Sequence, residues 1–311
     1  MTGPKVQERP RALLIGGAGF VGRHLARRLG ARFEVTATGR GHDIRDSSVI
    51  RALVAQVRPS AVVNLAALTT VKETLDDPVA AEAVAVVGLA NLLGALSEGG
   101  FAGRLLQISS SEVYGHPTPD ALPLTEASPP EPRNPYAHAK LAAEALCGDW
   151  IGRMDIVVAR PFTHIGPGQS DRFAVANWAR QLAEIEAGSR APELQVGALD
   201  ATRDLTDVRD VAAAYDVLLS AGRRGAVYNV CSGIETPMRQ VLEALISLSG
   251  QSVRLVSDPA RMRTAEQQRL RGDHALLSTD TGWSPTVSLT QTLSDVLRDA
   301  KGRVRQEAKT A

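Results

Sequence analysis

A glycine-rich turn near the amino terminus limits the possible folds of this chain more than any other feature. The turn follows an apolar run at residues 11–15 and opens a helical pattern at residues 19–29. Its sequence is Gly16-Gly17-Ala18-Gly19-Phe20-Val21-Gly22. In such units the first glycine of the triplet allows a sharp turn, the second a close approach to a pyrophosphate and the third tight helix packing. The motif predicts a dinucleotide site formed by Gly16, Gly19, Phe20, Val21 and Gly22, with a purely structural turn as the alternative.

The rest of the first half repeats the same alternation of short apolar runs and longer helical patterns. The apolar runs are residues 11–15, 33–38, 61–65, 104–108 and 155–160, and the helical patterns are residues 19–29, 47–57, 79–98 and 135–152. Strands that are apolar throughout are typical of a parallel sheet covered by helices on both faces. The pattern predicts an α/β fold with a doubly wound, Rossmann-type parallel sheet.

The alternation of strands and helices changes after residue 160, which indicates a second unit. We expect residues 10–165 to form a cofactor-binding domain, to which the chain returns at about residues 204–230. Residues 166–203 and 231–300 would form a smaller carboxy-terminal α/β substrate lobe, and residues 301–311, which are mostly polar, a frayed tail.

Composition argues against several partners. Lys and Arg number 35 and Asp and Glu 34, so no basic excess favours nucleic acid or a membrane surface. The longest run without a charged residue, 83–97, is shorter than the roughly 20 residues of a membrane span. The start lacks an apolar signal core, and Cys147 and Cys231 are the only cysteines. We therefore expect a cytoplasmic protein without a disulfide framework, and scattered histidines predict no metal site.

The residues after the second strand indicate which dinucleotide is bound. An NAD site places an acidic residue about twenty positions after the glycine turn, on the ribose hydroxyl. Here the chain reads Thr38-Gly39-Arg40, with no acid before Asp43. A guanidinium can pair with a 2′-phosphate, so Arg40 predicts NADP(H) rather than NAD(H). The alternative is a solvated Arg40.

A Y-x-x-x-K spacing lies at the start of the 135–152 helical pattern. Tyr136 and Lys140 are four residues apart, so on a helix they share a face. A free tyrosine has a pKa of about 10, and a nearby ammonium favours the phenolate and eases proton exchange. The spacing therefore predicts an acid–base pair in which Lys140 lowers the pKa of Tyr136.

A serine cluster follows the strand at residues 104–108. It reads Ser109-Ser110-Ser111-Glu112. Ligands of open α/β sheets bind at the carboxyl ends of the strands, so a hydroxyl here could hold a substrate carbonyl beside Tyr136. The alternative is that the serines cap local backbone.

Taken together, these motifs resemble the extended short-chain dehydrogenase/reductase family from about residue 12 to about residue 298. The resemblance implies that Ser110, Tyr136 and Lys140 are the catalytic residues, that Tyr136 and Lys140 also contact the cofactor, and that a nucleotide-linked sugar is the substrate. It also implies further cofactor contacts from Asp43, Ile44, Leu65, Ala66 and Ala67.

The second half is similar to enzymes that reduce GDP-4-dehydro-6-deoxymannose with NADPH. The similar segments are residues 160–169, 203–210, 228–233, 258–263 and 281–285. The likeness implies reduction of a 4-keto sugar, giving GDP-D-rhamnose, and a homodimer formed by the helices at 79–98 and 136–152. Candidate substrate contacts are Ser111, Glu112, Thr163, Asn177, Arg203 and Arg263.

Three other functions stay open. Ser110-Ser111-Glu112 is also compatible with a GDP-mannose 4,6-dehydratase, which uses an acid at this position. An epimerase would need tightly held NAD(H), which Arg40 disfavours. A non-catalytic NADP-binding sensor would not need the serine, tyrosine and lysine together.

Overall fold

The structure is a computed structural model that describes residues 9–39, 41–68, 71–258 and 269–310, without the side chains of residues 71–73 and 310. Its strands are β1 (Arg11–Ile15), β2 (Glu34–Ala37), β3 (Ala61–Asn64), β4 (Arg104–Ile108), β5 (Asp155–Pro161), β6 (Thr163–Ile165), β7 (Glu193–Val196), β8 (Thr202–Asp207), β9 (Val227–Val230), β10 (Glu235–Pro237) and β11 (Arg254–Ser257). Its helices are α1 (Phe20–Leu29), α2 (Ser47–Val57), α3 (Val71–Asp76), α4 (Pro78–Glu82), α5 (Gly88–Glu98), α6 (Pro135–Trp150), α7 (Ala174–Glu186), α8 (Val208–Ala221), α9 (Met238–Ser249), α10 (Ala275–Thr281) and α11 (Leu289–Thr310).

A six-stranded parallel sheet in the order β2-β1-β3-β4-β5-β9 forms the centre of the protein. The strand order reverses between β1 and β3, and ligands of such sheets bind beyond the carboxyl ends at that point. Helices cover both faces, which explains why β1, β3, β4 and β5 consist almost entirely of buried residues. The predicted α/β, doubly wound architecture is confirmed.

Two apolar clusters hold the helices on this sheet. On one face, α1 and α8 pack against strand residues such as Leu14 and Val157. On the other, α2, α5 and α6 pack around residues such as Leu13 and Val62. The side chains at residues 13 and 14 point to opposite faces because successive residues of a strand alternate.

Two smaller sheets and three helices form the second unit. β10, β8 and β6 form one sheet, and β11 and β7 the other, with α7, α9 and α11 packed around a third apolar cluster. The chain rejoins the central sheet through α8 and β9. The sequence places most of β8 in this returning segment, but in the structure β8 belongs to the small sheet. Leu277 and Trp283, which the sequence places in the substrate lobe, join the core of the central sheet.

The carboxy terminus differs from the prediction of a frayed tail. α11 continues to Thr310. Val304 is buried in the third apolar cluster, and ion pairs join Lys301 to Glu186 and Arg180 to Glu307. The sequence of this segment is mostly polar, which is why composition predicted fraying. Its apolar face and its ion-pair partners on α7 are seen only in the structure.

One helical stretch in the described part of the chain, Pro78–Glu98, is long and apolar enough to cross a membrane by length and composition alone. It exceeds the charge-free run counted from the sequence because α4, a π-helical turn at Ala83–Val87 and α5 are continuous. Core helices pass the same test, and Leu89, Leu92 and Leu96 of this stretch lie in the core.

Candidate active site

The glycine turn forms a close-fitting cradle at the carboxyl end of β1. Gly16 has a φ of +74°, which disfavours any side chain, and a Cβ there would lie 3.0 Å from the Ala66 nitrogen. A Cβ on Gly22 would lie 2.2 Å from the Gly17 carbonyl oxygen, so α1 approaches the turn only because residue 22 is glycine. The residues present therefore fit a dinucleotide pyrophosphate at the start of α1.

Backbone and side-chain hydrogen bonds hold this cradle open. The Gly16 amide donates to the Thr38 hydroxyl at 3.0 Å, and the Ala18 amide donates to the Thr38 carbonyl at 2.9 Å. The first turn of α1 contains no acidic residue, so its amides and the positive end of the helix dipole can attract a phosphate. Thr38 was missed by the sequence reasoning, although its position at the end of β2 was a usable signal.

The other predicted cofactor residues lie in the segments that follow β2 and β3. Leu65 and Ala66 follow β3 and lie against Gly16, and Ala67 lines a small cavity together with Tyr136. Ile44 is buried, and Arg45 binds the Asp43 carboxylate through its side chain and lowers the pKa of that group. Arg40 lies outside the described residues.

Ser110 and Tyr136 meet through a hydrogen bond between their hydroxyls. Asn134 begins α6 by accepting the Ala137 amide at 2.8 Å, and Pro135 occupies the first helical position. Burial raises the pKa of Tyr136 to about 12; the Ser110 hydrogen bond lowers this pKa and Glu112 raises it. The phenol is therefore held as a proton donor.

Lys140 lies one turn after Tyr136 and is buried. Its ammonium is 5.7 Å from the centroid of the Tyr136 ring and donates to the Ile108 carbonyl at 2.7 Å. Burial lowers the pKa of Lys140 to about 8, against the opposing effect of Glu144. The sequence predicts that Lys140 lowers the pKa of Tyr136, but this pKa is raised because burial of the phenol has the largest effect.

The predicted substrate residues next to Ser110 occupy the 3₁₀ turn Ser111–Tyr114. The Ser110 hydroxyl caps this turn by accepting the Glu112 amide at 3.2 Å, so the capping interaction and the contact with Tyr136 coexist. Glu112 accepts a hydrogen bond of 3.0 Å from the Asn134 side chain. Ser111 is buried.

The segment that contains Thr163 contacts the cradle. The His164 ring stacks on Phe20 with a centroid distance of 6.1 Å, and Arg23 donates to the Gly168 carbonyl at 3.0 Å. Burial lowers the pKa of His164, which favours an uncharged ring against Phe20. The structure thus brings Thr163, at the start of β6, close to the predicted pyrophosphate site.

The remaining substrate candidates are more scattered. Arg203 lies on β8 near the register partner of Thr163 and donates to the Thr202 carbonyl at 2.8 Å. Asn177 on α7 donates to the Asp171 carbonyl and accepts from Gln181. Arg263 lies outside the described residues.

Sequence reasoning missed one basic residue of this lobe. The buried Nε of Arg271 has no hydrogen-bond partner in the part of the chain that the structure describes, and its charge lowers the pKa of Glu235. Its place in the arginine-rich stretch at residues 258–273 was a usable signal in the sequence. Within the described ranges, no group of three or more His, Cys, Asp or Glu residues could hold a metal ion.

Comparisons with known proteins agree with this geometry. A model of the GDP-mannose 4,6 dehydratase family matches residues 31–296. The chain is 44% identical to the GDP-6-deoxy-D-mannose reductase of Pseudomonas aeruginosa over 96% of this chain and 99% of that protein. It is 27% identical to the GDP-mannose 4,6-dehydratase of Vibrio cholerae serotype O1, over 82% and 76% of the two chains.

A solved structure is similar over nearly the whole fold. It is the structure of RMD from Pseudomonas aeruginosa complexed with NADPH, with a TM-score of 0.88, 43% identity and coverage of 94% of this chain and 99% of that one. The family model spans most of the chain, and the reductase of 44% identity is similar over almost its whole length. The chain therefore belongs to the GDP-mannose 4,6 dehydratase family, within the extended short-chain dehydrogenases/reductases.

Proposed function

We propose that this protein reduces the 4-keto group of a nucleotide-linked 4-keto-6-deoxy sugar with NADPH, converting GDP-4-dehydro-6-deoxy-D-mannose to GDP-D-rhamnose. The observation that carries the proposal is the hydrogen-bonded Ser110–Tyr136 pair, with Lys140 one turn further along α6. The relative of 44% identity, a GDP-6-deoxy-D-mannose reductase, supports this substrate.

The cradle at residues 16–22 would hold the pyrophosphate of the dinucleotide. The phosphates would face the first amides of α1, and Leu65 and Ala66 would flank them next to Gly16. NADPH, the ligand of the similar solved structure, supplies a hydride when bound. The preference for NADP(H) over NAD(H) rests on Arg40 and on that relative.

The protein's own contribution to the reaction is to stabilise and protonate the oxygen of the 4-keto group. Ser110 would donate a hydrogen bond to this oxygen, and Tyr136 would deliver its proton as negative charge develops there. A Tyr136 pKa of about 12 keeps the phenol protonated at neutral pH. The Lys140 ammonium would then stabilise the phenolate that the transfer leaves behind.

Replacement of Tyr136 by phenylalanine tests the proposal directly. With GDP-4-dehydro-6-deoxymannose and NADPH, we expect the wild type to consume nicotinamide absorbance and Tyr136→Phe to lower kcat by about 10²–10⁴-fold, as expected for loss of a general acid. Tyr228→Phe is the matched control, because this phenol is bound to Asp280 and its ring lies in the apolar cluster on the face of the sheet opposite α6. Equal activity of the wild type and Tyr136→Phe would refute the proposed role.

A dehydratase is the second candidate, because the matching family model describes one and Glu112 lies beside Tyr136. A dehydratase would release water from GDP-mannose without net consumption of NADPH. We expect no such product, since the Glu112 carboxylate is bound to the Asn134 cap that starts α6. Mass spectrometry of the sugar products after incubation with each substrate separates the two reactions.

The protein is also proposed to form a homodimer through α4, α5 and α6. Three exposed apolar side chains lie in or next to this region: Leu75 on α3 is 59%, Val79 on α4 76% and Val87 on the π-helical turn 51% exposed. Covering them with a second copy would remove apolar surface from water. We expect a dimer in sedimentation at micromolar concentration, and the double variant Val79→Asp/Val87→Asp to sediment as a monomer. A monomeric wild type would rule out this interface.

A cytoplasmic location completes the proposal. It is supported by Cys147 and Cys231, which are buried and unpaired, as is usual in a reducing compartment. Fractionation of cells that express the full chain tests it, and recovery in the membrane or secreted fraction would contradict it.

A further inference from the structure

A buried ion pair lies directly behind the proposed catalytic residues. The Arg160 guanidinium on β5 binds the Glu144 carboxylate on α6 through two bonds, Nε to Oε1 at 2.9 Å and Nη2 to Oε2 at 2.6 Å. The exposed fractions of the two side chains are only 6% and 8%. Burying two charges costs more than most pairs return, so an apolar pair would serve a purely structural purpose at least as well.

Each partner of this pair contacts a segment that carries a catalytic residue. Glu144 lies one turn after Lys140 and accepts a hydrogen bond from the hydroxyl of Ser109, the neighbour of Ser110. Arg160 donates to the Tyr114 hydroxyl at 3.0 Å, at the end of the turn that Ser110 caps. The pair therefore ties α6 and β5 to both sides of the catalytic serine.

The second partner of Tyr114 extends the network across the sheet. The Tyr114 hydroxyl donates to the Asn229 side chain on β9 at 2.7 Å, and Asn229 donates to the Leu124 carbonyl at 3.0 Å. Both Tyr114 and Asn229 are buried. A movement of the serine turn would break hydrogen bonds that water cannot replace.

We propose that Glu144 and Arg160 are positioning residues of this site: the carboxylate keeps Lys140 charged and anchors the serine strand end, and the guanidinium holds that carboxylate in place. The inference rests on the proposed reduction. Neither side chain is proposed to touch substrate or cofactor, so their effects should reach the reaction through Lys140 and Ser110.

The electrostatic surroundings of Lys140 make this proposal testable. The other titratable or charged groups around it are Tyr136 on the same helix, Glu112 on the serine turn, which acts on Tyr136, and, beyond Glu144, Arg160 on β5. Tyr215 on α8 senses the charge of Tyr136. The described charged side chains of the α3–α4 region, which packs against α6, are exposed: Asp76, Asp77 and Glu82. Glu144 is thus the anion that raises the pKa of Lys140 against the effect of burial.

Lysine NMR can measure this effect without substrate or cofactor. The chain has five lysines, so selective ¹³C labelling of the lysine side chains gives few signals, and Lys140→Met assigns the relevant one. We expect Lys140 to titrate near 8 in the wild type and about one pH unit lower in Glu144→Gln. Asp155→Asn is the matched control. Asp155 pairs with Arg104 at the first residues of β5 and β4, which is the end of these strands away from Lys140.

Kinetics supply the second readout. A lysine with a lowered pKa loses its proton at lower pH, so the alkaline limb of the kcat profile should move down by about one pH unit in Glu144→Gln, with kcat near pH 8 reduced about fivefold. The KM values for NADPH and sugar nucleotide should change little, because Glu144 touches neither. If Glu144→Gln does not fold, Arg160→Lys takes its place, since it keeps both charges but cannot form the bidentate pair; we expect a several-fold lower kcat at unchanged KM.

The results separate this inference from the proposed function. An unchanged Lys140 titration in Glu144→Gln, or unchanged kcat in Arg160→Lys, overturns the positioning role. Absence of reductase activity in the wild type refutes the proposed function, but the NMR titration still decides whether Glu144 sets the charge of Lys140.

Discussion

The proposed cofactor cradle on the central sheet and the proposed substrate site of the second lobe would contact phosphate groups by different physical means. At the glycine turn the contacts come from the backbone, and bulk is excluded: an added Cβ at Gly16 or Gly22 would strike main-chain atoms. In the second lobe the candidates are long side chains such as Arg203, placed on a three-stranded sheet. A backbone cradle tolerates almost no substitution, whereas a side-chain site loses affinity in proportion to the charge removed.

The two regions also differ in what holds them together. The cradle is fixed by bonds within the glycine turn and by the ends of β2 and β3, the two strands that pair directly with β1. In the second lobe, buried Asp204 accepts hydrogen bonds from Ser232, Gly233 and Gly272, which lie 28 to 68 residues away along the chain. The geometry of the lobe is therefore a long-range property.

Replacing a glycine by alanine should weaken cofactor binding in the cradle but stabilise the protein in the second lobe. Gly22→Ala places a Cβ 2.2 Å from the Gly17 carbonyl, and we expect it to weaken NADPH binding by about ten- to a hundredfold, because overpacking of this kind costs roughly 1–3 kcal/mol. Gly302→Ala on α11 meets no atom within 4 Å and should stabilise the protein by up to about 1 kcal/mol. Fluorescence titration with NADPH and thermal unfolding measure the two effects; tight NADPH binding by Gly22→Ala would contradict the cradle.

This difference explains how much of the molecule could be predicted from sequence. The central strands and helices were predicted to within a few residues, because a strand buried on both faces and a helix of regular period leave local patterns. A serine hydroxyl beside Tyr136 and Lys140 was predicted for the same reason, because the serines lie at a strand end and the other two residues share a helix face; the choice of Ser110 came from the family resemblance.

The unpredicted features depend on contacts between distant segments. The short strands β6, β8 and β10 are stabilised by pairing with one another, so no local apolar run in the sequence predicted them. The buried ion pair of Glu144 and Arg160 could not be predicted, because in the sequence each is a single charged residue of a helix or a strand. The raised pKa of Tyr136 likewise follows from burial, which spacing does not reveal.

The second prediction concerns a side-chain contact of the lobe. If Arg203 binds the substrate diphosphate, Arg203→Met should raise the KM for the sugar nucleotide about tenfold, as expected for loss of a charge-assisted hydrogen bond. The dissociation constant of NADPH should stay within about twofold, because the cradle is a separate contact. Arg239→Met is the control: this exposed arginine of α9 pairs only loosely, at 3.4 Å, with Asp200. Equal KM values for all three proteins would remove Arg203 from the site.

The smallest effect is expected from an ion pair of the second lobe. The Arg269 side chain binds Glu235 on β10 and holds the pKa of this carboxyl at about 2, below its ordinary value of 4.5. A carboxyl whose pKa is lowered by folding contributes stability above its unfolded pKa and loses this contribution as the pH falls towards its folded pKa. The wild type should therefore lose melting temperature relative to Glu235→Gln between about pH 4.5 and pH 2, and the difference should be constant above pH 6. Because the Arg269 side chain is 47% exposed, salt should weaken the effect. If the melting temperatures of the two proteins differ by the same amount at every acidic pH, the pair does not stabilise the lobe. Buried Asp204 would then be the contact that sets the geometry of the lobe.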